Sequence, residues 1–66
     1  MKLIINGKET EINKTVTIND LVREKGLNPL LVVVEHNYKI PERKSWETTT
    51  LKDGDKLEIL KFVGGG

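Results

Sequence analysis

Sixty-six residues, a net charge near +1 and no cysteine bound this chain to one small domain. Its core is thin, because a chain this short buries only about 60% of its unfolded surface, and it has no disulfide framework and no thiolate metal site, His36 being the single histidine. Eleven basic against ten acidic residues argue against a dedicated nucleic-acid stripe, no apolar run nears the ~20 residues of a membrane span, and the apolar stretch of Met1–Asn6 is too short for a signal peptide, so a soluble cytoplasmic protein is expected.

The first elements are a hairpin and a helix. Leu3-Ile4-Ile5 is followed at once by Asn6-Gly7, the preferred pair for a two-residue hairpin turn because both positions need positive φ. In the return segment Thr10 and Ile12 share one face and Glu9 and Glu11 the other, so residues 2–12 form a β-hairpin with a wet outer face. Thr17-Ile18-Asn19-Asp20 opens a helix: Thr17 caps, Asp20 three residues on is a weaker relative of the capping box, and Val16 meets Leu21 as a hydrophobic staple. Ile18, Leu21 and Val22 share one face, Gly26 closes the helix in a left-handed conformation, and Pro29 discourages its resumption.

The second half is strand-rich. Leu30–Val34 is a continuous apolar run of strand length, of the kind that suits a strand covered on both faces or central in a sheet. A turn begins at His36-Asn37. Lys44-Ser45-Trp46 forms a short helical turn packed by the indole, Thr48–Leu51 leans to β, Asp53-Gly54-Asp55 is a tight turn, and Lys56–Val63 is the last strand. Strand, strand, helix, strand, short strand, strand describes an α+β domain: one main helix on one face of a mixed sheet of four to five strands. The β-grasp (ubiquitin-like) arrangement solves it, with the first and last strands side by side in the middle. The domain spans residues 1–63, and residues 64–66 form a glycine tail expected to be flexible.

Catalytic candidates are few. His36 has no nucleophile paired with it in the sequence, and Ser45 lies in a polar stretch, so His36 is expected to be a surface residue. Asp53 and Asp55 fit a turn better than a metal, and Glu42-Arg43-Lys44 fits a solvated loop. No catalytic residue, metal or bound cofactor is expected. The last strand says more. Leu57 and Ile59 have one parity, facing the helix; Leu60 and Phe62 have the other, on a face for which the chain has no cover of its own. Either a partner covers that face or neighbouring aliphatic stems shield it. Gly64, Gly65 and Gly66 then follow directly on the strand. Glycines thread slots too narrow for a Cβ, and the α-carboxylate of Gly66 is ionised at neutral pH and can attack the α-phosphate of ATP. The competing reading is a frayed terminus. Should sulfur be carried, a chain without cysteine can carry it only at the C-terminal carbonyl, as a thiocarboxylate.

The whole chain resembles the ThiS family of sulfur carriers in thiamine biosynthesis. The resemblance is carried most specifically by Phe62-Val63-Gly64-Gly65-Gly66 after the turn Asp53-Gly54-Asp55, with support from Asn6-Gly7, the helix Ile18–Lys25, and Asn37–Arg43 leading to Trp46. Glu42 departs from it, since family members often place a basic residue directly after the proline. The resemblance implies a carrier and co-substrate without catalysis of its own. A ThiF-like adenylyltransferase uses Mg-ATP to adenylate Gly66, a cysteine desulfurase supplies sulfur for the thiocarboxylate, and a ThiG-like thiazole synthase takes it. Gly65 and Gly66 match the family's terminal pair, while Leu60, Phe62 and Val63 are inferred as the partner-binding surface from strand parity and closeness to the tail. A MoaD-like carrier for molybdopterin synthesis and a ubiquitin-like protein modifier are the alternatives.

Overall fold

A computed structural model describes residues 1–62 of the chain. β1 (Lys2–Ile5) and β2 (Lys8–Glu11) form the hairpin, in the register Lys2↔Glu11 to Ile5↔Lys8. Its turn places Asn6 at φ 50° and Gly7 at φ 79°, as an Asn-Gly hairpin turn requires. The helix α1 (Ile18–Glu24) opens on a complete reciprocal capping box. The Asp20 N–H donates to Thr17 Oγ1 at 3.1 Å and the Thr17 N–H donates to Asp20 Oδ2 at 3.0 Å. Aspartate therefore does what the longer glutamate usually does at this position. The chain leaves the helix through Gly26 at φ 71°.

β3 (Val32–His36) and β4 (Lys56–Lys61) complete a four-stranded sheet in the order β2-β1-β4-β3. β1 and β4 run parallel in the middle, and both outer pairings are antiparallel. This is the β-grasp arrangement expected from the element order. Alternate residues of the strands (Leu3, Ile5, Val32, Val34, Leu57 and Ile59) enter one core with Ile18, Leu21 and Val22 of α1. Each aliphatic side chain fully buried there contributes about 1.5–3 kcal/mol relative to exposure. Val16 and Leu21 are both buried in it, as a staple demands, and so is Trp46. The Arg43 guanidinium lies 5.4 Å from the Trp46 ring centroid, while the neighbouring Glu42 and Lys44 side chains are exposed, as a solvated loop requires.

Three expectations need correction. The apolar run does not begin a strand at Leu30. Asn28 Oδ1 accepts the Leu30 N–H at 3.0 Å and Pro29 presets φ, so Pro29–Leu31 becomes a 3-10 turn and β3 starts at Val32. Nor is β3 central or covered on both faces: it is an outer strand, buried along one face only. Thr48–Leu51 is no strand either. It makes a single bridge, Thr50 to Thr17, while the hydroxyls of Thr48 and Thr49 bond the Ser45 carbonyl. Those local bonds compete with a ladder, and the sheet has four strands. The final segment is strand through Lys61. Val63 and the tail Gly64, Gly65 and Gly66 lie outside the described residues, as does the boundary set at residue 63.

Candidate functional site

β4 divides its side chains as a strand must. Leu57 and Ile59 are buried in the core, whereas Leu60 is 62% and Phe62 60% exposed on the opposite face. The sequence reading placed both residues there, and the structure brings them together with two others that it missed. Leu60 stands opposite Val33 of β3, and the Phe62 N–H donates to the Leu31 carbonyl at 2.8 Å. Leu31, Val33, Leu60 and Phe62 thus form an apolar strip where β4 ends and the tail begins. No signal within a single sequence could have added Leu31 and Val33, because strand register across a long connection is not written locally.

Further along the same face the chemistry changes. Glu35 and Glu58 stand directly opposite one another on β3 and β4, beyond them the Lys56 ammonium donates to the Tyr38 hydroxyl at 2.9 Å, and Ile4 of β1 pairs with Lys56. A shallow depression of about 200 Å³ lies among these groups. The sheet's back face is therefore an apolar strip at the end of β4, continuing into a hollow lined by Glu35, Glu58, Lys56 and Tyr38.

His36 is not the plain surface residue expected. Its half-buried ring places Nε2 2.9 Å from Asp55 Oδ2, which also accepts the Lys52 N–H at 2.9 Å. Asp55 Oδ1 accepts from Asn37 Nδ2 at 3.1 Å, and Asn37 Oδ1 takes the Lys56 N–H at 2.9 Å. Burial pushes the Asp55 carboxyl up, but the hydrogen bonds from His36, the Lys52 N–H and Asn37 outweigh it and hold the group below its ordinary value. Asp53 Oδ1 accepts the Lys2 N–H at 2.6 Å. Both aspartates are thus bound up in the turn, and no group of three His, Asp or Glu side chains among the described residues is placed to hold a metal. His36 and Ser45 form no nucleophile–base pair: the His36 side chain bonds Asp55, and Ser45 contributes its carbonyl to Thr48 and Thr49.

Asn6 also does more than turn the hairpin. Its side-chain Oδ1 accepts the Ile59 N–H at 2.7 Å, and its Nδ2 donates to the Ile59 carbonyl at 3.4 Å. These bonds continue the pairing of β1 with β4 past the end of β1, toward the exposed strip. Among the described residues no helix is long and apolar enough to cross a membrane.

The model of the ThiS family matches residues 3–66, which include the glycine tail. The chain belongs to the ThiS family. It is 40% identical over 65 residues to the sulfur carrier protein ThiS of Bacillus subtilis, across 97% of this chain and 98% of that one. The crystal structure of a thiamine biosynthesis protein (ThiS) from Geobacter metallireducens superposes with a TM-score of 0.85 at 35% identity, covering all of both chains. A thiazole synthase of Paramagnetospirillum magneticum is 42% identical over 66 residues, and there this ThiS-family chain spans only 20% of the relative's length.

Proposed function

We propose that this ThiS-family chain is the sulfur carrier that supplies thiazole formation in thiamine biosynthesis, with Gly66 as the modified residue. The observation that carries the reading is the family match running through the glycine tail, together with near end-to-end similarity to a ThiS carrier of almost the same length. In the proposed cycle the Gly66 carboxylate attacks the α-phosphorus of Mg-ATP on a ThiF-like adenylyltransferase, forming an acyl-adenylate and releasing pyrophosphate. The terminal sulfur of a persulfide supplied by a cysteine desulfurase displaces AMP at the carbonyl carbon to give an acyl disulfide, and a thiol reductant cleaves its S–S bond, leaving the thiocarboxylate on Gly66 and the sulfur donor in a disulfide. A ThiG-like thiazole synthase then takes the sulfur. The similarity of this chain to one fifth of a thiazole synthase supports that pairing. The chain itself catalyses nothing and holds no cofactor; ATP and magnesium belong to the activating partner.

Gly64, Gly65 and Gly66 bring no Cβ to the partner's channel, and Leu60, Phe62 and Val63 dock the partner beside it. The exposure of Leu60 and Phe62 next to the tail supports this role.

The absence of cysteine makes the test clean. The protein is incubated with a ThiF-type enzyme, Mg-ATP and a sulfur source, then treated with a thiol-selective alkylator and analysed by intact and fragment mass. One ATP-dependent label on Gly66, absent when Gly66 is deleted, is expected. No label, with an enzyme competent on another carrier, overturns the reading and leaves a protein modifier or an inert tail.

A further inference from the structure

Asn6 carries more than its turn asks of it. A two-residue hairpin turn of this kind needs positive φ at its first central position, and glycine meets that need as well as asparagine. The carboxamide is therefore free for another task, and the fold gives it one. β1 is in register with β4 only from Ile4↔Lys56 to Ile5↔Leu57. At Asn6, φ 50° turns the chain away from β4 into the hairpin, while its N–H still donates to the Leu57 carbonyl at 2.8 Å. The next backbone groups of β4 on this side are those of Ile59, and the Asn6 side chain meets them. Its Oδ1 accepts the Ile59 N–H at 2.7 Å and its Nδ2 donates to the Ile59 carbonyl at 3.4 Å. A carboxamide can stand in this way for the missing peptide, because it offers the same acceptor and donor. On the other side of β4 the ladder with β3 runs on, with Leu60 opposite Val33, Lys61 opposite Val32, and the Phe62 N–H on the Leu31 carbonyl at 2.8 Å. Among the described residues, the bonds from Asn6 are thus the last that β4 receives from the β1 side. They fall immediately before Leu60 and Phe62, the exposed residues of the apolar strip.

We propose that Asn6 is a positioning residue for the carrier reaction: its carboxamide keeps the end of β4 held on both sides, so that Leu60 and Phe62 meet the activating enzyme already in place. The proposal rests on the docking reading above and adds what holds the docking residues still. A strand end bonded along one edge opens more readily than one bonded along both. A partner that docks on a loosened segment must order it, and that ordering is subtracted from the affinity. Fixing the backbone of one residue corresponds to about a tenfold change in affinity. The change belongs to docking, so it raises the half-saturating carrier concentration and leaves the rate at saturation alone.

The test uses Asn6→Gly, which keeps the turn and removes both bonds to Ile59. In ATP–pyrophosphate exchange by a ThiF-type enzyme, with the full-length carrier as substrate, this variant is expected to raise half-saturation about tenfold at an unchanged saturating rate. Amide hydrogen exchange is expected to quicken at Ile59, Leu60 and Phe62 while Leu57 stays protected. Asp55→Asn, which weakens the fold at the other end of β4, is the control: it lowers the melting temperature and leaves half-saturation unchanged. Equal shifts of half-saturation in the two variants would make Asn6 a stabilising residue only and overturn the proposal. Unchanged half-saturation in Asn6→Gly, or unchanged exchange at Leu60 and Phe62, also overturns it. So does a wild-type Ile59 amide that exchanges as fast as an unbonded one, a result that needs no variant. Phe62→Ala separates the two readings: if it weakens binding where Asn6→Gly does not, docking stands and only the positioning role falls. A wild-type carrier that supports no exchange removes the carrier reading, and this proposal with it.

Discussion

Asp55 shows how much one side chain does in a fold with few residues to spare. Its two oxygens hold His36, Asn37 and the Lys52 N–H, joining the tip that follows β3 to the loop that precedes β4. The sequence marks Asp53-Gly54-Asp55 as a turn, and it is one, with Gly54 at φ 86°. The partnership with His36, nineteen residues earlier, is not legible there. The Asp55 carboxyl lies below its ordinary 3.8 in the folded protein. A depressed folded value stabilises the protein above the unfolded one, and that stability is lost as pH falls through the folded one. Urea unfolding should therefore show stability falling as pH drops below 3.8. Asp55→Asn should cost about 1–2 kcal/mol at pH 7 and flatten the decline. An unchanged pH profile in that variant would assign the acid sensitivity to other carboxylates.

At the scale of the element, β4 carries both the stability and the proposed docking function, divided by its two faces. Leu57 is fully enclosed, whereas Leu60, three residues on, is open to solvent. Leu57→Ala should cost about 2–5 kcal/mol, the range for a buried leucine truncation. That is most of what a domain of this size has to lose. Leu60→Ala should shift stability by no more than about 0.5 kcal/mol, as exposed substitutions do. Denaturant melts of the two variants check this directly, and a Leu60→Ala cost approaching that of Leu57→Ala would mean the strip is covered within the chain. Here the alternation of the sequence was a sufficient guide, because a strand's side chains change face at every residue whatever lies beside it. The guide failed at Leu30 and Leu31, where Asn28 and Pro29 impose a local turn stronger than the β preference of the run.

For the whole molecule, the decisive feature is the parallel pairing of β1 with β4, which joins the two ends of the chain at the centre of the sheet. Ile4 and Asn6 donate their N–H groups to the carbonyls of Asp55 and Leu57, and the Asn6 side chain bonds Ile59. The last strand is thus held on both sides, while β2 is held on one. Hydrogen exchange should follow that order: amides of β4 should open last, near the global free energy, and those of β2 first. Equal protection of β2 and β4 would mean that the hairpin edge is covered by something outside the fold.

Local chemistry determined a great deal. Asn6-Gly7 dictates its hairpin, Thr17 and Asp20 start the helix, and period-two alternation assigns the faces of β4. Each of these depends on residues within a few positions of one another, so the sequence displays it. What only the tertiary structure decided is which residues meet across long connections: β3 at the edge, Leu60 against Val33, Glu35 against Glu58, His36 with Asp55, and Asn6 with Ile59. A strand's own pattern records which way each side chain points but not the partner or the register, and a shift of one residue would put Leu60 and Val33, and Glu35 and Glu58, on opposite faces.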